Sequence, residues 1–143
     1  MSRAVLDDHL LRDFLADDVP AELHDVLTDH EPATTNLYLY RLGRSVVAAT
    51  GGALTGSWDA PRRRVLGERL LALPPDVEVV PMEELAFRMA EIVATHRVST
   101  LGAEAVAAAE RLDAPLCVWA GDDGPGIRAA MDALGQEYQR VRR

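Results

Sequence analysis

Two pairs of aspartates, each directly after a short apolar segment, are the residues of this sequence best suited to chemistry. Asp7 and Asp8 follow an apolar segment at the start of the chain, and Asp122 and Asp123 follow another near its end. If both segments are neighbouring strands of a parallel sheet, the carboxylates meet in one crevice, because ligands bind beyond the carboxyl ends of such strands. Converging carboxylates suit Mg²⁺, which takes one or two of them with water and phosphate oxygens. Each pair also has a plainer interpretation, as groups that cap the helix that follows.

Three largely apolar segments and one closing edge segment predict the strands that must position these acids. They are Ala4–Leu6, Val77–Val80, Leu116–Trp119 and a closing edge strand, Tyr138–Val141. The third is almost entirely apolar, which is typical of an interior strand in a parallel sheet covered on both faces. The alternation of these strands with helical segments predicts an α/β fold. We expect a three-layer α/β/α sandwich with a parallel sheet of four or five strands, in a single domain over residues 1–143.

Segments with apolar residues at helical spacing separate the predicted strands. Pro20, Pro81 and Pro125 stand where three of these helices begin, a position that tolerates a residue without an N–H. The segment from 51 to 61 holds three glycines and a proline. It is predicted to be a loop.

The charge balance limits the chemistry and the partners of this chain. The formal net charge is −8, and all fifteen basic residues are arginine. Because there is no lysine, Schiff-base chemistry and the phosphate-binding P-loop are excluded. An acidic surface repels nucleic acid at long range, so any RNA contact must come from local arginine clusters. Residues 62–64 and 140–143 form two such clusters, which are also open to an interpretation as solvated or salt-bridged surface.

The chain carries no sequence signal for a membrane or for export. Its longest apolar stretches are far shorter than the ~20 residues that a bilayer span requires. Asp7 and Asp8 fall where a secretory signal would have its apolar core. The single cysteine, Cys117, has apolar neighbours and is predicted to be a small buried side chain. We therefore expect a cytoplasmic protein with no membrane partner.

Histidine and tyrosine side chains near the acidic pairs allow further roles. The four histidines are not spaced as zinc ligands. His9 follows Asp8 and could assist a metal ion, but a surface or capping role is favoured. Tyr38 and Tyr40 could stack on a base, or line the edge of the core with the hydroxyl in water.

Two segments, one at each end of the chain, carry a family resemblance. The first is Ala4-Val5-Leu6-Asp7, a strand that ends in an acid. The second runs from Val98 to Val141: a helix ending in Ala108–Leu112, then Ala114-Pro115-Leu116, a loop, a helix and an edge strand. Together they resemble the PIN-domain family, the fold of VapC-type toxin ribonucleases. The order of elements between them also agrees, so the resemblance covers most of the chain and implies a PIN-like sandwich.

The resemblance implies four acidic positions, which this sequence fills unevenly. The first falls on Asp7, which is acidic. The second lies in the third predicted helix, where Tyr40 is the best match, and the third falls on Gly102. The fourth follows the strand that ends near residue 119; Ala120 matches it without a gap, but Asp122 or Asp123 could supply the acid across a longer loop.

Glu104 is the nearest acid to the glycine at the third position. It stands two residues further along the same predicted helix. Two residues correspond to roughly 200° of rotation around a helix, so Glu104 should point elsewhere.

The resemblance implies two competing functions. The first is a catalytically degenerate PIN-like protein, a relative of toxin–antitoxin ribonucleases, that acts by binding or assembly. Losing two charges from a metal site costs several kcal/mol of cation binding, even at an effective dielectric constant of ~20. The alternative is an active Mg²⁺- or Mn²⁺-dependent ribonuclease. The candidate catalytic residues are Asp7, Asp122 and Asp123; the candidate metal ligands are Asp7, Asp8, Asp122, Asp123 and Glu104; the candidate nucleic-acid contacts are Tyr40, Arg41 and Arg44.

Partners and cofactors follow from the same resemblance. It implies a homodimer, an antitoxin protein and RNA as candidate partners. The cofactor is Mg²⁺ or Mn²⁺ if the protein is active, and otherwise there is none.

Overall fold

The chain folds around a five-stranded parallel sheet. The computed structural model describes residues 2–48 and 50–143. Every pair of neighbouring strands is parallel, and the spatial order is β3-β2-β1-β4-β5. The strands are β1 (Ser2–Leu6), β2 (His30–Thr35), β3 (Glu78–Val80), β4 (Leu116–Trp119) and β5 (Tyr138–Val141).

Helices connect the strands, and several begin at a residue whose side chain accepts one of their free N–H groups. Side chains of Asp7, Thr35 and Ser99 accept backbone N–H groups at the starts of the first, third and seventh helices. Among the described residues no helix has the length and apolar character needed to span a membrane. The helices are α1 (Asp8–Leu15), α2 (Ala21–Asp29), α3 (Asn36–Val47), α4 (Gly52–Thr55), α5 (Ala60–Leu71), α6 (Met82–Thr95), α7 (Thr100–Leu112) and α8 (Pro125–Ala133), with a 3₁₀ turn at Ala120–Asp122.

Side chains alternate between the two faces of the sheet, so each strand contributes to two cores. On one face Val5, Ala33 and Leu116 pack with residues of α6, α7 and α8. On the other face Leu6 and Cys117 pack with residues of α1 and α2. A further apolar cluster joins α1 to α3 and α5. Helices therefore cover both faces, which confirms the predicted α/β/α sandwich with a parallel sheet.

Two segments differ from the sequence prediction. The sequence does not predict β2, because the segment begins with polar residues and Pro32 offers no N–H to a strand ladder. In the structure β2 pairs with β1 on one side and β3 on the other. The predicted loop over residues 51–61 contains the short helix α4 and the start of α5.

The strand order reverses between β1 and β4. From β1 the sheet extends to β2 and β3 on one side, and the later strands β4 and β5 extend it on the other. A crevice beyond the carboxyl ends of two such strands is the usual ligand site of an open α/β sheet. The two aspartate pairs follow β1 and β4, so the fold brings the ends of both predicted acidic strands side by side.

Candidate functional site

Asp7 holds the carboxyl ends of β1 and β4 together. Its Oδ1 accepts the N–H of Leu10 at 2.9 Å and so caps α1, while Oδ2 accepts the N–H of Trp119 at 2.9 Å. The side chain is buried, and burial raises the pKa of Asp7 to about 7 although both amide donors oppose the shift. Each oxygen of Asp7 therefore already serves the fold.

Asp8 has one engaged oxygen and one without a hydrogen-bond donor. Oδ1 accepts the N–H of His9 at 2.9 Å. Oδ2 is buried and has no hydrogen-bond partner within the described part of the chain. Nη1 of Arg41, a half-exposed side chain on α3, lies 3.3 Å from this oxygen. Burial raises the pKa of Asp8 and the positive charge of Arg41 opposes that shift.

The imidazole of His9 is buried against the indole of Trp119, with 4.5 Å between the ring centroids. Its Nε2 lies 3.7 Å from Oδ2 of Asp122, and its Nδ1 has no hydrogen-bond partner among the described residues. Burial lowers the pKa of His9 to about 4, so the ring is neutral at neutral pH and has a lone pair for a cation. The surface or capping role favoured for His9 from sequence is therefore wrong.

Asp122 reaches the same corner from the 3₁₀ turn after β4. Its side chain is 53% exposed, unlike the other acids at this corner. Gly121 lies directly against the Trp119 ring, where a Cβ would collide with the indole, so the turn needs glycine to pass this close. The result is a three-residue cluster: one potential ligand atom from each of Asp8, His9 and Asp122 lies within 4.8 Å of the others.

Asp123 turns away from this cluster toward the edge of the sheet. Its Oδ1 accepts the hydroxyl hydrogen of Tyr138 at 2.6 Å. Its Oδ2 pairs with Arg128 and lies 3.7 Å from Nη1 of Arg140. The carboxylate is thus engaged between α8 and β5, and the two neighbouring aspartates of this loop face different surroundings.

Glu104 lies in α7, fully buried, and binds the start of α3. Oε1 accepts the N–H of Leu37 at 2.9 Å, and Oε2 accepts the N–H of Asn36 at 3.3 Å. The Asn36 amide group also donates to Oε2, at 3.4 Å. A negative group is favourable here because the first N–H groups of a helix have no intrahelical acceptor.

Gly102 stands at the start of α7, where the family resemblance expects an acid. Its N–H donates to Oγ of Ser99 at 3.1 Å as part of the helix cap. A Cβ added to Gly102 would lie 2.9 Å from Cγ1 of Ile127. An acidic side chain at this position would therefore require Ile127 to move.

The candidate nucleic-acid contacts lie on the surface of α3. Tyr40 is 62% exposed, and Arg41 and Arg44 are also exposed. Tyr38, by contrast, is buried in the core. The two arginines line a shallow groove of about 300 Å³ that continues to Gly52.

The two arginine clusters identified in the sequence make intramolecular contacts. The guanidinium of Arg62 lies over the Trp58 ring, 3.7 Å from its centroid, and 3.2 Å from a carboxylate oxygen of Asp18. Arg142 and Arg143 form ion pairs with acidic side chains of α2 and α1. These contacts agree with the interpretation of both clusters as salt-bridged surface.

The structure thus brings together Asp7, Asp8 and Asp122 from the set of predicted ligands. It also places the His9 ring and the Arg41 guanidinium at the same corner. The other two predicted ligands, in α7 and before α8, have their carboxylates engaged elsewhere. One feature of the sequence indicates that His9 lies at this corner: it directly follows the two acids at the end of β1. No such feature indicates the approach of Arg41, because it depends on how α3 packs against α1.

No protein-family model matches the chain, and a comparison with curated proteins finds no significant match. The family resemblance therefore stays an expectation carried by the motifs.

Proposed function

We propose that this chain is a catalytically degenerate PIN-like domain, a relative of toxin–antitoxin ribonucleases, that acts by binding or assembly. The observation that carries the proposal is the position of Arg41. Its guanidinium nitrogen lies 3.3 Å from the carboxylate oxygen of Asp8 that has no hydrogen-bond donor. A positive group of the protein thus competes with a metal ion for this oxygen.

The contacts of the remaining predicted ligands support the same proposal. Both oxygens of Asp7 accept backbone N–H groups. Glu104 binds the start of α3, and Asp123 binds a tyrosine and two arginines. Asp122 is the one predicted acid that is largely exposed at the corner.

Metal-dependent phosphodiester hydrolysis places strict demands on such a corner. The ion must be fixed against the phosphate while it activates a water molecule in line with the scissile bond. Mg²⁺ loses its water reluctantly and requires near-octahedral oxygen ligands about 2.1 Å away. A corner with one buried donor-free oxygen on Asp8, one exposed acid in Asp122 and a competing arginine holds such an ion weakly.

Binding without cleavage would use the surface of α3. Tyr40 offers an exposed ring for stacking, and Arg41 and Arg44 offer charge for phosphate groups. Single-stranded RNA is the ligand that fits this combination best. An antitoxin-like protein and a second copy of the chain are the proposed assembly partners, and sedimentation of the purified chain tests the second.

An active Mg²⁺- or Mn²⁺-dependent ribonuclease is the second candidate function, and one observation favours it. Ligand atoms of Asp8, His9 and Asp122 lie within 4.8 Å of one another. They stand at the reversal point of the strand order, where open α/β sheets bind ligands. In this function Arg41 would have to leave Asp8 before a metal ion could bind.

A combined cleavage and binding assay separates the two functions. Fluorescent single-stranded RNA is incubated with the protein in Mg²⁺ or Mn²⁺, and also in excess EDTA. We expect no cleavage above the EDTA blank, together with RNA binding measured by fluorescence anisotropy. Replacing Arg44 by glutamine should lower the slope of log affinity against log salt by roughly one, the change expected for one lost phosphate contact.

Two asparagine variants make the assay specific. Asp8→Asn alters the acidic corner, whereas Asp123→Asn alters a carboxylate in the same crevice region that faces α8 and β5. Cleavage that the first variant abolishes and the second retains would refute the degenerate function and favour the ribonuclease.

A further inference from the structure

The Asp8–His9–Asp122 cluster combines the imidazole of His9 with two of the five acids that the sequence suggested as metal ligands. Tetrahedral ligands about 2.1 Å from a zinc ion lie roughly 3.4 Å from one another. Nε2 of His9 and Oδ2 of Asp122 are 3.7 Å apart, close to that separation. The whole set lies within 4.8 Å, so the ligands need to approach one another by no more than about 1.5 Å.

A second observation points independently to a missing ligand. Two atoms of this cluster are buried without a hydrogen-bond partner among the described residues: Oδ2 of Asp8 and Nδ1 of His9. The Asp8 side chain is 1% exposed and the His9 side chain 5% exposed. Buried polar atoms are nearly always hydrogen-bonded, so the Asp8 oxygen, which has only the ion pair with Arg41, requires an explanation. A bound cation would satisfy the carboxylate oxygen directly.

Asp122 is the ligand that can move to close the metal site. Asp122 lies on a three-residue turn and is 53% exposed, whereas Asp8 and His9 are fixed by packing. Arg41, the group now beside Asp8, is 44% exposed, so a cation that takes its place at Asp8 would leave its guanidinium free to turn into solvent. Because Asp122 is 53% exposed, the cluster borders solvent on that side, and a water molecule would complete the four ligands of such a site.

The choice of metal follows from the donor atoms. Mg²⁺ favours oxygen ligands alone, whereas imidazole nitrogen suits zinc and its neighbours in the first transition series. We propose that Asp8, His9 and Asp122 form a binding site for one Zn²⁺ or Co²⁺ ion, and that Arg41 neutralises Asp8 when the metal is absent. The site goes beyond the proposed function, and its geometry does not depend on the family resemblance.

Direct metal titration tests the site. Untagged full-length protein, freed of metal with a chelator, is titrated with Co²⁺ while its visible absorption is recorded, and Zn²⁺ affinity is measured by competition with a chromophoric indicator. We expect one equivalent to bind with the intense visible bands of low-coordinate Co²⁺, and Zn²⁺ to displace it. Asp122→Asn, an exposed change that spares the fold, should weaken binding at least tenfold, since removing even a group that only supports a metal ligand typically costs about 10–100-fold.

Matched variants identify the ligands and the role of Arg41. Asp123→Asn changes the next residue but not the cluster, and it should bind metal as the wild type does. Arg41→Gln removes the competing charge and should tighten binding several-fold, whereas a structural role for Arg41 alone would leave the affinity unchanged. His9→Gln should bleach the Co²⁺ bands, with circular dichroism to establish that this buried variant is folded.

The outcomes separate this site from the proposed function. The absence of one-equivalent binding, or equal binding by wild type and Asp122→Asn, overturns the site and leaves the degenerate function untouched. Binding without RNA cleavage in the same metal supports both. Binding with cleavage that requires Asp8 supports the site and overturns the degenerate function.

Discussion

Two buried carboxylates of almost equal exposure differ sharply in their surroundings. At the contact between α7 and α3, both oxygens of Glu104 accept hydrogen bonds from Asn36 and Leu37. At the corner between β1 and β4, one oxygen of Asp8 is just as buried but has no donor, and Arg41 approaches it only as an ion pair. These two acids differ in the number of hydrogen bonds that their carboxylates accept, and not in burial. The carboxylate of Glu104 is fully used in stabilising the fold, whereas one oxygen of Asp8 is available to a ligand.

The difference arises from where each acid meets a helix. The first N–H groups of a helix lack intrahelical partners. Glu104 approaches the start of α3 from a neighbouring helix and so meets two of them. Asp8 belongs to the first turn of α1 itself, where Asp7 already accepts the N–H of Leu10. Asp8 therefore accepts a hydrogen bond from one backbone amide, that of His9.

The largest expected effect comes from removing the donor-rich carboxylate. We expect Glu104→Ala to lower the free energy of unfolding by about 3 kcal/mol or more. Two partly buried N–H groups lose their acceptor, at about 1–3 kcal/mol each, and a cavity is added at the fully buried Glu104 side chain. Urea denaturation followed by circular dichroism measures this change.

A matched variant separates the hydrogen bonds from the volume. Glu104→Gln fills the same space but turns an amide donor toward one of the two N–H groups, so we expect an intermediate loss of about 1–2 kcal/mol. If Glu104→Ala were as stable as the wild type, the hydrogen bonds from Asn36 and Leu37 to Glu104 would not stabilise the fold. The contrast drawn between Glu104 and Asp8 would then be wrong.

A much smaller effect is expected at the other carboxylate. Asp8→Asn, studied in metal-free buffer, should change the free energy of unfolding by no more than about 1 kcal/mol. The variant loses an ion pair with a half-exposed arginine, which is worth little, and it also removes a buried charge, which folding disfavours. A loss as large as that of Glu104→Ala would mean that Asp8 is a structural acid, and it would weaken the case for a ligand site.

The sequence was sufficient to predict the fold because the decisive patterns are local. Leu116–Trp119 is apolar enough to require burial on both faces, and it lies in the interior of the sheet beside β1. β2 was not predicted because it depends on pairing with strands that are distant in the sequence. His30–Thr35 forms a strand because β1 and β3 supply partners on both sides, and Thr34 adds a bond from its hydroxyl to the carbonyl of Leu6 at 3.0 Å.

The candidate site was predictable in position but not in detail. Acids after two apolar strands were enough to locate the corner. The sequence could not separate Asp122 from Asp123, since the 3₁₀ turn decides that one faces His9 while the other faces Tyr138. It could not reveal Arg41 beside Asp8 either, because that approach depends on the packing of one helix against another.

The smallest effect, expected at a third acid, sharpens the comparison. Glu110 lies on α7, as Glu104 does, but it is partly exposed and pairs with Arg88 of α6 through two bonds of 2.7 and 3.0 Å. We expect Glu110→Gln to cost about 0.5–1 kcal/mol, since exposed ion pairs contribute little and are screened by salt. The control is Glu91→Gln, whose carboxylate lies 3.6 Å from the same arginine and should change stability even less.

The dependence of this cost on pH follows from the direction of the shift. The hydrogen bonds from Arg88 lower the pKa of Glu110 in the folded protein. A lowered pKa stabilises the fold above the pKa of the unfolded chain, and that contribution disappears as the pH falls through the folded value. Wild type and Glu110→Gln should therefore differ at neutral pH and converge in acid, where Glu110 is protonated. The contradicting result is a loss of unfolding free energy in Glu110→Gln as large as that in Glu104→Gln. In that case the exposure of an acid on α7 would not determine its contribution to stability. The difference between Glu104 and Asp8 could then not be explained by the number of buried donors around each carboxylate.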